Sequence, residues 1–384
     1  MSYPSAPSSP EETRRKAREL HAAARVHEAI QLQRWLINDL AARGTPAAED
    51  YIWLGVMLYT AQDFAGAAEA FGRGRQLDPK HPDASLNLGL SLILAGRLYE
   101  AIAPLKDAER ETPECLNLLD GLADVYGKLG DLENARAYGE RSLLLKERQA
   151  GPPRISAPLP DCVPPPLRST GAKRNVIAFS LFGAQERYVR GALKNATIAP
   201  YLYPDWRCRF YCDDTVPADA RAILAQLGAD VKMMPRTRRP ADALFWRFLV
   251  ADDPEVQRFL VRDCDSVINI REEAAVRQWL ASRCCFHVMR DSPSHTDLIL
   301  AGMWGGVAGI LPPLARLLEG FSYNLITESR KADQVFLGRV VWPLVKGSCL
   351  IHDSLYRVFG AQDFPAGYEL PPGRHVGQND AAVA

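Results

Sequence analysis

The sequence predicts a two-part chain: an all-α helical-repeat array followed by a mixed α/β sheet domain. Three observations carry this. Small and large apolar residues recur every 34 residues through the first third of the chain. From Asn175 onward, short β-branched and aromatic runs alternate with helix-length segments, the rhythm of a mainly parallel sheet. Between the two parts, residues 149–170 hold seven prolines and no periodicity, which suits neither helix nor central strand.

Composition narrows the classes of function. A length of 384 residues favours two domains. Lys plus Arg equals Asp plus Glu at 46 each, so the basic excess of a general nucleic-acid binder is missing. No run of 18 apolar residues marks a membrane span, and the first 20 residues lack the apolar core of a signal peptide. A cytoplasmic location is the resulting expectation. The eight cysteines are scattered without a second Cys/His pair at zinc-site spacing, and read as reduced, mostly buried thiols.

Residues 1–10 are rich in Pro and Ser and read as disordered. The repeats follow. Leu54-Gly55 returns as Leu88-Gly89 and Leu122-Ala123; Ala67, Ala101 and Ala135 align, as do Phe64, Leu98 and Leu132. Gly96 and Gly130 mark turns inside units, while Asp78-Pro79 and Thr112-Pro113 end them. This 34-residue pattern resembles the tetratricopeptide repeat and implies stacked helix pairs over residues 11–148. The family's Trp position departs from the pattern, holding Tyr51, Ser85 and Leu119. Val26–Ile30 is out of frame and reads as part of a capping helix pair. Such arrays present a surface for peptides or protein partners, here an acceptor or a second copy of the chain.

After the linker (149–172), the second domain is expected over 173–364, with a tail at 365–384. Strands are predicted near 175–182, 207–212, 229–234, 259–261, 285–289 and 349–351. Helices are predicted near 186–196, 218–227, 244–250, 271–282, 314–318 and 332–341.

The chemistry centres on Asp263-Cys264-Asp265, at the end of the apolar Phe259-Leu260-Val261. Alternate residues of an extended segment share a side, so two carboxylates can point together from a buried strand, with Cys264 turned away. A solvated turn is the bland alternative. Arg247 sits among aromatics just upstream, where an ion pair with Asp252 or Asp253 competes with a ligand contact. Ser180, Phe182 and Gly183 close the first strand, without a Gly-x-Gly-x-x-Gly pattern or a Lys-bearing glycine turn, which disfavours dinucleotide-binding and nucleotidyltransferase readings. Asp291 is a candidate general base and His295 a candidate acceptor contact, unless they merely shape a loop. Gly302, Gly305 and Gly306 allow close backbone approach to a ligand, or tight packing of strand on helix, and Trp304 offers a flat apolar face.

This order of features resembles the nucleotide-sugar glycosyltransferases of the GT-A fold, a Rossmann-like mixed α/β sheet, over residues 174–360. The resemblance implies a divalent cation, Mn²⁺ or Mg²⁺, held by Asp263 and Asp265 and completed by His352 near the domain's end. It also implies a nucleotide-contacting Arg247, and the pair Asp333-Gln334 near the transferred sugar, although Asp333 also suits a helix N-cap. His352 is otherwise a surface or capping residue. The expected function is metal-dependent transfer of a sugar from a nucleotide-sugar donor to a protein or glycan acceptor. The alternative is a non-catalytic scaffold.

Overall fold

The structure is a computed structural model; it describes residues 9–153, 164, 174–323 and 331–379. Of the expected disordered residues 1–10, 1–8 lie outside that range, as do most of the linker and the last five residues, whereas Ser9 caps a helix that opens at Pro10. The chain divides into two compact units, Met1–Ser142 and Leu143–Ala384.

The first unit is built of antiparallel helix pairs. They are α1 (Pro10–Ala22) with α2 (Val26–Ala42), α3 (Ala48–Thr60) with α4 (Phe64–Leu77), α5 (Ala84–Leu94) with α6 (Leu98–Glu111), and α7 (Leu116–Lys128) with α8 (Leu132–Ala150). The recurring residues account for the close approach of the helices. A Cβ on Gly55 would lie 2.7 Å from the Phe71 ring, and one on Gly89 would lie 2.4 Å from Leu105. Phe71 and Leu105 are themselves one period apart. In the last pair the small residue changes sides, with Ala123 in α7 and glycine at 139 in α8. Ala67, Ala101 and Ala135 are all fully buried. The turn inside each unit needs a left-handed residue at the same place: Gln62 (φ 63°), Gly96 (77°) and Gly130 (80°). The first pair turns at Ala24 (60°), four residues out of that register, which is why its sequence breaks frame.

The second unit carries a seven-stranded sheet in the order β3-β2-β1-β4-β6-β5-β7. The strands are β1 (Asn175–Leu181), β2 (Trp206–Cys212), β3 (Asp230–Met233), β4 (Arg258–Val261), β5 (Phe286–Arg290), β6 (Trp304–Val307) and β7 (Cys349–Asp353). All pairings are parallel except those of β6, which is antiparallel to both β4 and β5. Helices α9 (Glu186–Leu202), α10 (Ala218–Gln226) and α11 (Ile270–Ala281) connect strands. A 3-10 helix, Pro240–Asp252, leads into β4. The short helices α12 (Leu314–Leu318), α13 (Ala332–Phe336) and α14 (Trp342–Val345) follow, the last two joined by a π-helical turn at Leu337–Val341. The core beneath α9 stacks Phe179 on Phe210, with centroids 4.7 Å apart, among Leu260, Val276 and Trp279.

β6 is the strand that the sequence reading missed. Gly305 and Gly306 do not line a loop beside a sugar. They lie between β4 and β5, where a Cβ on Gly305 would sit 2.5 Å from the Phe259 carbonyl and one on Gly306 2.6 Å from the Phe286 ring. The cysteines also depart in one respect. Cys115, Cys208, Cys212, Cys264, Cys284 and Cys349 are free thiols, whereas Cys285 is in a disulfide.

Candidate functional site at the carboxyl ends of β1 and β4

From β1 the chain order runs outward to β2 and β3, and then crosses back to β4 on β1's other side. The strand order therefore reverses between β1 and β4. The residues at or just past their carboxyl ends are Ser180–Gly183 and Asp263–Asp265.

Arg247 ties these segments together. It reaches from the 3-10 helix, and its side chain is only 3% exposed. One guanidinium nitrogen donates to the Asp263 carboxylate and, at 3.1 Å, to the Arg262 carbonyl. The other donates to Asp333 at 2.7 Å. The Arg247 backbone N–H donates to the Ser180 hydroxyl at 3.0 Å. The expected alternative partners are engaged elsewhere: Asp253 with Arg209, and Asp252 with the Leu314 N–H. Asp333 lies inside the first turn of α13 and is not its cap. Burial raises its carboxyl above the ordinary range, against the pull of Arg247. Gln334, the next residue, is half-buried.

Asp263 keeps 46% of its side chain exposed. Gly302 is pressed against it, since a Cβ there would meet the carboxylate at 2.0 Å. Asp265 is raised by burial and by the neighbouring charge of Asp263. The C-terminal segment returns to it: Asn379 donates to Asp265 at 3.2 Å and bridges Ser266. Cys264 faces inward, as expected, into the core of β1 and β2. Gly183 (φ 74°) donates its N–H to Thr215 at 2.7 Å, and Phe182 meets Trp246 edge-on at 6.1 Å.

Other expected residues are not brought here. Trp304 is 2% exposed and wedged edge-on against Phe248 and Phe259, so it offers no face to a sugar. Asp291 accepts both nitrogens of Arg271 at 3.0 Å and the Val376 N–H at 2.9 Å. His295 is buried and accepts the Asp291 N–H at 2.9 Å. Burial first, and then His375 and Arg290, lower it to about 3. These two residues shape a loop and clasp the C-terminal segment.

His352 is the clearest correction. It is fully buried, with one ring nitrogen 2.8 Å from His287 and the other bonded to Gln278 and Gln362. β7 stands three strands from β4, about 14 Å at ordinary strand spacing. The side chain therefore does not reach the Asp263–Asp265 pair. Among the described residues, no group of three or more His, Cys, Asp or Glu is arranged to hold a metal ion.

Comparison with known proteins bears on the first unit. A stretch of 98 residues is 31% identical to the TPR repeat-containing thioredoxin TTL4 of Arabidopsis thaliana, and one of 122 residues is 30% identical to tetratricopeptide repeat protein 13 of Homo sapiens. The matches cover 26% and 31% of this chain, but only 14% and 13% of those proteins. The N-terminal unit is a helical array resembling tetratricopeptide repeats. Solved structures of MamA also align, one at 21% identity with a TM-score of 0.34, over 38% of this chain and 82% of that one. Another, from Desulfovibrio magneticus RS-1, aligns at 16% identity with a TM-score of 0.33, over 38% and 84%. No family profile matches the chain. No helix among the described residues is long and apolar enough to cross a membrane.

Proposed function

We propose that this protein is a nucleotide-sugar-dependent glycosyltransferase whose repeats engage a protein acceptor or partner. One observation carries the reading. The crevice where strand order reverses is where open α/β sheets take ligands, and it is bordered by Asp263, Asp265 and Ser180–Gly183. Asp263 and Asp333 share the buried guanidinium of Arg247, while Asp265, two residues on, is bonded by Asn379 and feels the charge of Arg187 before that of Arg247. The partly exposed Asp263 carboxylate, and the crowding of Asp265 by its charge, suit a divalent cation such as Mn²⁺ or Mg²⁺. Such an ion, when bound, neutralises the leaving diphosphate. Asp263 and Asp265 would hold it, and oxygens of substrate and water would complete its shell.

The remaining roles belong to the chain's own groups. Arg247 holds Asp263 and Asp333 in place from beneath. Ser180, Phe182 and Gly183 border the position of the nucleotide, and Gln334 that of the sugar. Asp291 and Asp333 are both committed to arginines, so neither is assigned as the general base. A groove of about 580 Å³ in the first unit, bordered by Arg73, Gln76, Leu88, Leu92 and Glu100, provides surface for a protein partner.

The test is a panel of nucleotide sugars with Mn²⁺ or with chelator, scored for released nucleotide. Release that requires metal and is lost in Asp265→Ala supports the enzyme. A flat panel leaves the second reading, a protein-interaction scaffold. That reading is favoured by Arg247 and Asn379 already occupying the two carboxylates, and by relatives named for their repeats.

A further inference from the structure

Asn195 stands on α9, one turn beyond Gly191, and is fully buried. An asparagine is a poor choice for a helix interior, and an unbonded amide there would be costly. Its side chain is used on a single target, the loop that carries the two carboxylates. The Asn195 Oδ1 accepts the Ile268 N–H at 2.9 Å. Its Nδ2 donates to the Ser266 carbonyl at 3.0 Å and to the Cys264 carbonyl at 3.4 Å. Gly191 serves the same contact, because a Cβ there would fall 2.0 Å from the Cys264 oxygen. The inner face of α9 is therefore shaped, by one missing Cβ and one amide, to the peptide units of residues 264–268.

Arg247 anchors the Asp263 carboxylate at the start of that loop, and Asn195 anchors the peptide units that follow it. The Ser266 N–H turns back to the Asp263 carbonyl at 3.3 Å, and Asn379 contacts Asp265 from outside. Between β4 and α11, Asn195 bonds three backbone groups, the Cys264 and Ser266 carbonyls and the Ile268 N–H. We infer that Asn195, seated through Gly191, is a positioning residue that presents Asp263 and Asp265 to the cation and diphosphate of the donor. The inference rests on the function proposed above and deepens it: the loop is ordered before the substrate arrives, so binding does not have to order it.

The experiment uses the full chain as wild type, Asn195→Ala and Gly191→Ala. Gly191→Ala keeps the Asn195 side chain and its bonds to Ser266 and Ile268 but displaces the Cys264 carbonyl, and stands in if Asn195→Ala fails to fold. Two quantities are read. The first is hydrogen exchange across residues 262–270, expected to quicken by at least about tenfold in Asn195→Ala, which removes three hydrogen bonds, and by about tenfold in Gly191→Ala, which disturbs the one to Cys264. The second is turnover of a nucleotide sugar against Mn²⁺ concentration. Its midpoint should rise about tenfold, with turnover at saturating Mn²⁺ recovering to within about twofold, because the ion restores the loop's order by mass action. A merely structural asparagine would lower maximal turnover with the folded fraction and leave the midpoint where it was. That result, or unchanged exchange across 262–270, overturns the inference. A wild type inert toward every donor would sink the enzyme reading instead, and would be recognised by an exchange difference that persists without activity.

Discussion

Arg247 has its charge fully inside the protein, and that determines what its loss would do. Its guanidinium is held between Asp263 and Asp333, and its pKa rises because the two carboxylates outweigh burial. Arg247→Met would leave Asp333 buried beside no cation, and breaking a buried pair from one side costs about 3–5 kcal/mol. Chemical denaturation should show a loss of that order. Adding Asp333→Asn should recover part of it, since no charge is then stranded. A double variant no more stable than the single one would mean that the pair is not the source of the loss. Asp265→Ala should behave differently. Its carboxylate accepts from Asn379 at 3.2 Å and forms no ion pair among the described residues, so stability should fall by only about 1 kcal/mol. Mn²⁺-dependent nucleotide release should nevertheless vanish. Calorimetric titration with Mn²⁺ and denaturation of the same sample would separate the two effects.

The repeats were legible because their constraints are local and recur: each small residue faces a knob 16 positions later, Gly55 to Phe71 and Gly89 to Leu105. The same regularity exposes Gln62, which occupies a left-handed turn that Gly96 and Gly130 fill at the equivalent places. A side chain in that conformation costs about 1–2 kcal/mol. Gln62→Gly should therefore stabilise the array by about 1 kcal/mol after the added freedom of the unfolded chain is subtracted. Gly96→Ala should destabilise it, and urea melts of both variants would check the sign. β6 was illegible for the opposite reason. Trp304-Gly305-Gly306-Val307 has little strand propensity, and its glycines are explained only by Phe259 and Phe286 on strands far away in sequence. His352 misled similarly. A histidine after a short strand looks the same in sequence whether it meets a metal or, as here, another histidine. Asn195 and Asn379 carried no signal, because their partners lie 69 or more positions away.

Taken across the second unit, the buried histidines set how the protein responds to acid. His287, His295 and His352 are all held below the ordinary value of 6.5, chiefly by burial. His352 also faces Arg271, His287 faces His352 and Arg262, and His295 faces His375 and Arg290, with Asp297 opposing. The fold therefore favours the neutral ring. Its contribution is complete above pH 6.5 and is lost as pH falls through about 4 for His352 and about 3 for His295. For His352 alone, the gap between 6.5 and about 4 corresponds to on the order of 3 kcal/mol. Asp265, Asp333 and Asp353 act in the other direction: their raised carboxyls make protonation favourable near the acid end and offset part of the loss. The net expectation is a stability that declines from pH 6.5 toward 4. Trp279 stacks on His287 at 5.6 Å and supplies a fluorescence reporter inside the cluster. In guanidinium melts at pH 7.5, 6 and 4.5, followed by tryptophan fluorescence to which Trp279 contributes, the transition should move to lower denaturant with each step. His352→Gln keeps a polar side chain at the His287 contact but cannot take up a proton, so its transition should move less over the same range. Equal slopes in the two proteins would show that the acid sensitivity lies outside the His287–His352 pair.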